Sequence, residues 1–257
     1  MNILECIRNR RSVRTFSATP IPDDILEKIL DAGRWAPSGA NSQPFEFIVV
    51  KNKAAIDKIR DNVKEVLKMS GVDNLEAIYR LMKESGSFAA AGTRKVTWKE
   101  YLNSPVMVIV VSDTDKNTVN IENEQYMTMS GDAGAAAVQT IMLAAYALGV
   151  GSCWLRTFDP ERIKYCFGIP KTLDISGIIP MGYPKYWPKA PEYALSTGPE
   201  LFPRRPLEDV VHQEMVDIDK WIDFQLHDPF RLPRKEFLRT EKYTRPTKLK
   251  VNQRRTK

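Results

Sequence analysis

The residues best suited to chemistry lie in two short stretches near the N-terminus. In Arg10-Arg11-Ser12-Val13-Arg14, three guanidinium groups and a hydroxyl fall within five residues. Arginine offers planar, bidentate, charge-assisted hydrogen bonds that match phosphate oxygens, and Ser12 adds a donor at short reach. The second stretch is Ala36-Pro37-Ser38-Gly39-Ala40-Asn41-Ser42-Gln43-Pro44-Phe45. Its small, turn-forming residues let a planar ligand approach the backbone, while Asn41 and Gln43 supply amide donors and acceptors. Together they read as a grip on a molecule with a phosphate at one end and a polar ring at the other.

Other chemistries are poorly served. His212 and His227 are the only histidines, too few and too badly spaced for a zinc site. No nucleophile-elbow pattern accompanies them to make a Ser-His-Asp hydrolase. Gly149-Val150-Gly151 is not a GxGxxG fingerprint and does not follow a strand. Met127, Met129 and Met142 read as core filler. The three cysteines, Cys6, Cys153 and Cys166, show no CxxC spacing, so buried thiols in a reduced, cytoplasmic setting are expected. No run approaches the roughly eighteen apolar residues of a membrane helix. The start, Met1-Asn2-Ile3-Leu4-Glu5-Cys6, has no basic region followed by an apolar one, so no signal peptide is expected.

With 257 residues, 43% hydrophobic and 27% charged, the composition suits one large globular domain or a domain with appendages. Charge is unevenly distributed. Residues 231–257 hold eleven Lys or Arg against Glu236 and Glu241, a net of +9, which leaves −3 on residues 1–230 out of the chain's +6. A basic, proline-punctuated tail could bind nucleic acid or an acidic surface. Phe230, Phe237 and Tyr243 better suit a strap packed along a partner subunit, so nucleic acid is not the expected partner.

The elements that must position the two stretches follow from periodicity. A short helix over residues 2–9 leads into the arginines. Asp23 or Asp24 can cap a helix with Ile25, Leu26, Ile29 and Leu30 at helical spacing, ending between Gly33 and Pro37. Phe45 to Val50 reads as a strand, and a helix follows over 54–69. Val106 to Val111 is a continuous apolar run, expected as a central strand buried on both faces. The Ala- and Met-rich stretch 131–149 is expected as a central helix buried almost all round. A short strand at 149–154, a helix from Asp159 to about Phe167 and a strand at 175–181 complete an α+β fold, with a central, mostly antiparallel sheet sandwiched by helices. Residues 70–104, polar and rich in small residues, read as a lid or substrate-facing insertion, with a helix at 74–84.

The order of these motifs resembles that of the FMN-dependent nitroreductase family, over roughly residues 3–212. The matching pieces are RRSVRTF (10–16), APSGANSQPFEFIVV (36–50), SPVMVIVV (104–111), the small-residue helix from Gly131, LGVGSCWLRTFD (148–159), IIPMGYP (178–184) and RRPLEDVVH (204–212). The resemblance implies a three-layer sandwich in an intertwined homodimer with two active sites at the interface. It assigns Arg10, Arg11, Ser12 and Arg14 to the FMN phosphate and ribityl chain. Pro37, Ser38, Gly39 and Asn41 would approach the flavin from the other subunit, with Ala40 facing substrate. Trp154, Leu155, Arg156 and Thr157 would run along the isoalloxazine ring, a backbone amide facing N5, and Arg204, with Arg205 as second choice, would complete the phosphate site. Residues 1–212 would form the flavin domain, with 70–104 as lid and 213–257 as a basic extension.

The implied activity is an NAD(P)H-dependent, ping-pong FMN oxidoreductase acting on nitroaromatics, quinones or enone-like acceptors. The flavin carries that chemistry, so no catalytic side chain is required. Glu76, Tyr79 and Lys99 resemble the lid of the family's iodotyrosine deiodinase branch, where such residues clasp an amino-acid zwitterion. The alternative is therefore a reductive dehalogenase of halogenated tyrosines, with Lys99 on the carboxylate and Glu76 on the ammonium. A non-enzymatic flavin- or nucleic-acid-binding protein using its basic tail is the alternative of another class.

Overall fold

A computed structural model describes residues 2–69, 97–113, 124–187 and 210–214. The chain divides into two units, 1–204 and 205–257. In the second, Val210 and Val211 are exposed.

The apolar run at 106–111 forms strand β2 (Val106–Asp113), whose residues from Val106 to Ser112 are all buried. A strand buried on both faces needs a layer on each side, and it has them. β2 pairs antiparallel with β1 (Phe45–Val50) and with β4 (Leu173–Gly182), and β4 pairs antiparallel with β3 (Gly151–Ser152), giving the order β1-β2-β4-β3. Side chains alternate between faces. Val106, Val108 and Val110 meet α2 (Asp23–Arg34) and α4 (Glu124–Ala147) through Leu26, Ile29, Val138, Ile141 and Met142. Met107, Ile109 and Val111 meet α3 (Lys53–Met69) and α5 (Pro160–Phe167) through Ile56, Ile59, Val63 and Ile163. The result is the α+β three-layer sandwich expected from the sequence.

Helix ends follow local chemistry. In α1 (Ile3–Asn9), Asn2 and Glu5 form a reciprocal capping box, which satisfies two otherwise orphaned amides. Asp159 caps α5, accepting from the amides of Glu161 and Arg162 ahead of Pro160 in the first turn. At α2 the capping position falls on Pro22 without a side-chain bond. Asp23 and Asp24 lie inside the first turn instead, where their charge still favours the positive helix end.

Two expectations change in α4. It begins at Glu124 rather than at residue 131, and its burial is one-sided. Ala137, Val138, Ile141 and Ala145 are buried, whereas Ala135, Ala136, Gln139 and Thr140 are half-buried and Asp132 is exposed. Within one chain, a single sheet face presses on this helix.

β4 carries one extra residue. Val110 pairs with Gly177 but Val111 pairs with Ile175, so Ser176 is a bulge that breaks the ladder and bends the strand.

Candidate functional site

The arginine stretch follows α1 directly and is fixed by its backbone along the β3 edge. Ser12 bridges Ser152 in parallel, with Val13 N–H donating to Ser152 O at 2.9 Å. Farther on, Phe16 bridges Pro184, Ser17 N–H donates to Tyr183 O at 2.8 Å and Lys185 N–H to Thr15 O at 3.2 Å. Val13 and Phe16 point into the core, while Arg10, Arg11, Ser12 and Arg14 stay half-buried. Arg11 Nη1 donates to the carbonyls of Arg8 and Arg10 at 2.8 and 2.6 Å. Opposite Ser12, the Ser152 hydroxyl oxygen is buried with no hydrogen-bond partner among the described residues. A buried hydroxyl without a partner carries a desolvation cost, and a ligand oxygen would remove it.

Residues 154–157 continue from the same edge. Leu155 exchanges backbone hydrogen bonds with Ile178 at 2.8 and 3.2 Å and turns its buried side chain into the core shared with α3 and α5. Trp154 and Arg156 fall on the opposite face, above the bulge. There Ser176 O accepts from Trp154 Nε1 at 3.1 Å and from Arg156 Nη1 at 2.9 Å, and Ile175 O accepts from Arg156 Nη1 at 2.6 Å. The bulge carbonyl, deprived of its ladder partner, is satisfied by the two side chains. Gly177 makes room for the indole: a Cβ there would lie 2.2 Å from Trp154 Nε1.

On that same face the buried hydroxyls of Ser176 and Ser112 share a hydrogen bond of 2.7 Å. Gly134 of α4 closes over this pair, since a Cβ there would lie 2.0 and 2.1 Å from the two oxygens. None of Ser112, Gly134, Ser152 and Ser176 stood out in the sequence. The cue available was Gly177, a glycine inside an apolar strand, which often marks a bulge or close approach.

The loop at 37–43 lies elsewhere. Pro37, Gly39, Ala40 and Asn41 are exposed and Ser38 is half-buried. Ala40, Asn41 and Gln43 all have positive φ, at 47°, 56° and 44°, a conformation that L-residues seldom adopt. Ser38 Oγ accepts from Gln43 N–H at 3.0 Å and holds the loop shut. This loop feeds β1, the sheet edge opposite β3. Three strand spacings, about 14 Å, separate those edges. The register adds an offset along the strands, because Phe45 pairs with Ser112 whereas β3 pairs with Gly182 and Met181. One chain therefore brings the arginine cluster to the 154–157 segment but does not bring the 37–41 loop to either.

Lys99 is exposed on a turn at 97–103. Glu76, Tyr79 and Arg204 lie outside the described residues. Among the described residues, no group of His, Cys, Asp and Glu could hold a metal ion, and no helix is long and apolar enough to cross a membrane.

The model of the Nitroreductase family matches residues 7–183. The chain belongs to the nitroreductase family. A protein of Methanothermobacter thermautotrophicus, whose assigned name couples NADH dehydrogenase with NAD(P)H nitroreductase, is 27% identical over 188 residues, covering 72% of this chain and 78% of the relative. Iodotyrosine deiodinase 1 of Rattus norvegicus is 26% identical over 203 residues, covering 75% of this chain and 66% of the relative. A crystal structure of iodotyrosine deiodinase bound to FMN and 3-iodo-L-tyrosine has the same fold, with a TM-score of 0.62 at 20% identity, covering 84% of this chain and all of that one. Family and relatives together make the nitroreductase-like chain an oxidoreductase.

Proposed function

We propose that the chain is an FMN-dependent NAD(P)H oxidoreductase that reduces electron-poor organic acceptors (nitroaromatics, quinones or enone-like compounds) by a ping-pong cycle as a homodimer. The observation that carries this reading is the β3 edge, where the arginine stretch, the buried Ser152 hydroxyl and residues 154–157 come together. The donor set fits FMN. Arg10, Arg11 and Arg14 offer charge-assisted hydrogen bonds to the phosphate and ribityl oxygens, Ser12 adds a hydroxyl, and Ser152 gains the partner it lacks. Arg204 would be the late basic residue that completes the phosphate site.

When bound, FMN supplies the transfer of reducing equivalents from nicotinamide to acceptor. The protein orients it. Trp154 Nε1 and Arg156 Nη1 are tied to the bulge and the Leu155 amide to Ile178 O, so the remaining backbone of residues 154–157 would be the part that lies along the ring edge. Since the flavin would carry that chemistry, no acid or base from this segment is required. Pro37, Ser38, Gly39, Ala40 and Asn41 reach the ring from the partner subunit, since their own chain holds them at the far edge of the sheet. The flavin domain is taken as residues 1–212, with 213–257 as a basic extension.

The test is direct. FMN-loaded protein should be yellow, bleach anaerobically with NADH or NADPH, and regain its colour when a nitroaromatic or quinone is added. A protein that does not retain FMN, or whose flavin neither nicotinamide reduces, would sink the proposal.

A second reading is a reductive dehalogenase of halogenated tyrosines. It is favoured by the exposed ammonium of Lys99 and by relatives named iodotyrosine deiodinase. Monoiodotyrosine should then reoxidise the reduced protein with release of iodide, and Lys99→Ala should raise its KM. Failure of both outcomes removes this reading.

A further inference from the structure

On the buried face of α3, Asn62 stands with Ile56, Ile59 and Val63 and is only 2% exposed. An amide side chain in that position costs free energy unless it is hydrogen-bonded. Its Oδ1 accepts the Asp159 N–H at 2.9 Å.

Asp159 is the cap of α5, and a capping box would satisfy the cap's own amide from within the helix, through the side chain three residues on. α1 does this, with Glu5 accepting from the Asn2 amide at 3.1 Å. α5 cannot. Its corresponding residue is Arg162, which carries no acceptor and pairs instead with Glu65 of α3. The acceptor for Asp159 therefore comes from a different helix, and α3 sets where α5 begins.

That bond falls where the 154–157 segment ends. Leu155 and Phe158 bury their side chains in the core shared with α3 and α5. Between them Arg156 and Thr157 are exposed, and their backbone amides have no acceptor among the described residues. The Ser176 bulge ties down the start of the segment through Trp154 and Arg156. Asn62 ties down its end. Two backbone donors thus stand open between two anchors.

We propose that Asn62 is a positioning residue for bound FMN: by holding Asp159 against α3, it sets where the amides of Arg156 and Thr157 meet the ring edge. This deepens the oxidoreductase reading and rests on it. An amide N–H donates to a ring nitrogen that offers a lone pair in oxidised flavin and carries a hydrogen once reduced. Its placement therefore weights binding toward the oxidised form.

The test uses the full-length FMN-loaded protein. Asn62→Leu keeps the size of the side chain and removes the acceptor. It should weaken binding of oxidised FMN roughly tenfold, as for one lost hydrogen bond. Reduced FMN should lose less, so the midpoint potential of the bound flavin should rise, with a tenfold change in the affinity ratio equal to about 30 mV for a two-electron couple. Val63→Ala trims the neighbouring core without touching the bond; it should lower Tm and leave the potential in place. Arg162→Gln in the Asn62→Leu background lets α5 cap Asp159 from within; it should raise Tm and leave the potential shifted. Where Asn62→Leu does not yield folded protein, Asn62→Ser withdraws the acceptor without adding bulk and makes the same comparison.

A potential and an FMN affinity unmoved by loss of the Asn62 acceptor would overturn the proposal. So would a Val63→Ala protein that shifts both equally far, or recovery of both by Arg162→Gln, which would assign Asn62 to helix capping alone. A wild type that does not retain FMN overturns both readings, and its absorbance spectrum shows this before any variant is made.

Discussion

At the scale of single residues, the candidate site rests on the guanidinium groups of Arg10, Arg11 and Arg14 and the hydroxyls of Ser12 and Ser152. Arg14→Ala or Arg10→Ala should weaken FMN binding by about tenfold to a hundredfold, the range expected when a charge-assisted hydrogen bond is lost. Flavin fluorescence on titration of the apoprotein measures it. Glu100 adds a pH signature. The Thr97 amide, and after it the Lys185 ammonium, hold its carboxyl below the ordinary carboxylate range. A depressed folded pKa means stabilisation that is present above the unfolded value and lost as pH falls through the folded one. Melting temperatures of wild type and Glu100→Gln should therefore differ at neutral pH and converge in acid. A difference that does not shrink as pH falls through the carboxylate range would refute the assignment. The arginines were legible in the sequence because three guanidinium groups in five residues are a compositional signal in themselves. Ser152 was not, since a serine acquires its meaning only when β3 buries its hydroxyl opposite Ser12.

At the scale of elements, the bulge in β4 does most to orient the site. Gly177→Ala would drive a methyl group into the indole of Trp154, with a predicted destabilisation of about 1–3 kcal/mol from overpacking. FMN retention should weaken with it, because Trp154 can no longer hold residues 154–157 on Ser176. Thermal unfolding and flavin content read the two effects separately, and a full flavin complement in a destabilised Gly177→Ala protein would uncouple the bulge from the site. β1 and the apolar core of β2 were legible from continuous runs of β-branched and aromatic residues, and the start of α5 from Asp159 and Pro160. The bulge was not. Ser176 and Gly177 interrupt the apolar run, and Gly177 is a cue for a close approach, but only pairing with β2 exposes the extra residue. The one-sided burial of α4 escaped for a related reason: alanine fits a buried and a half-buried face equally well.

At the scale of the whole molecule, the sheet places the two halves of the grip on opposite edges, and a second copy is the economical way to complete it. α1 supports this with Ile3, Leu4 and Ile7, which are 60%, 61% and 53% exposed. A cluster of this kind on one helix suggests a contact surface. Leu4→Asp with Ile7→Asp should convert a dimer to a monomer in light scattering, and the monomer should lose FMN in the same step. A monomeric wild type with full flavin content would refute the shared site. The fold class was legible from the order of the motifs, whereas sharing of the site between subunits entered through the family resemblance. No periodicity reveals which sheet edge a loop will reach.

The strand that carries the arginines is stitched to the β3 edge by a handful of single backbone bonds, while β2 lies sealed between two helical layers. Local opening is easiest where such stitching is thin. Amide hydrogens of Val13 and Ser17 should therefore exchange with solvent far sooner than those of Val108 and Ile109 in the apoprotein. Saturating FMN should slow the former and leave the latter unchanged, because a ligand that binds only the closed form deepens protection locally. Cofactor occupancy would then be readable from two amides at the edge of the sheet, and a protease probing the empty protein should find its first cut near residues 8–11.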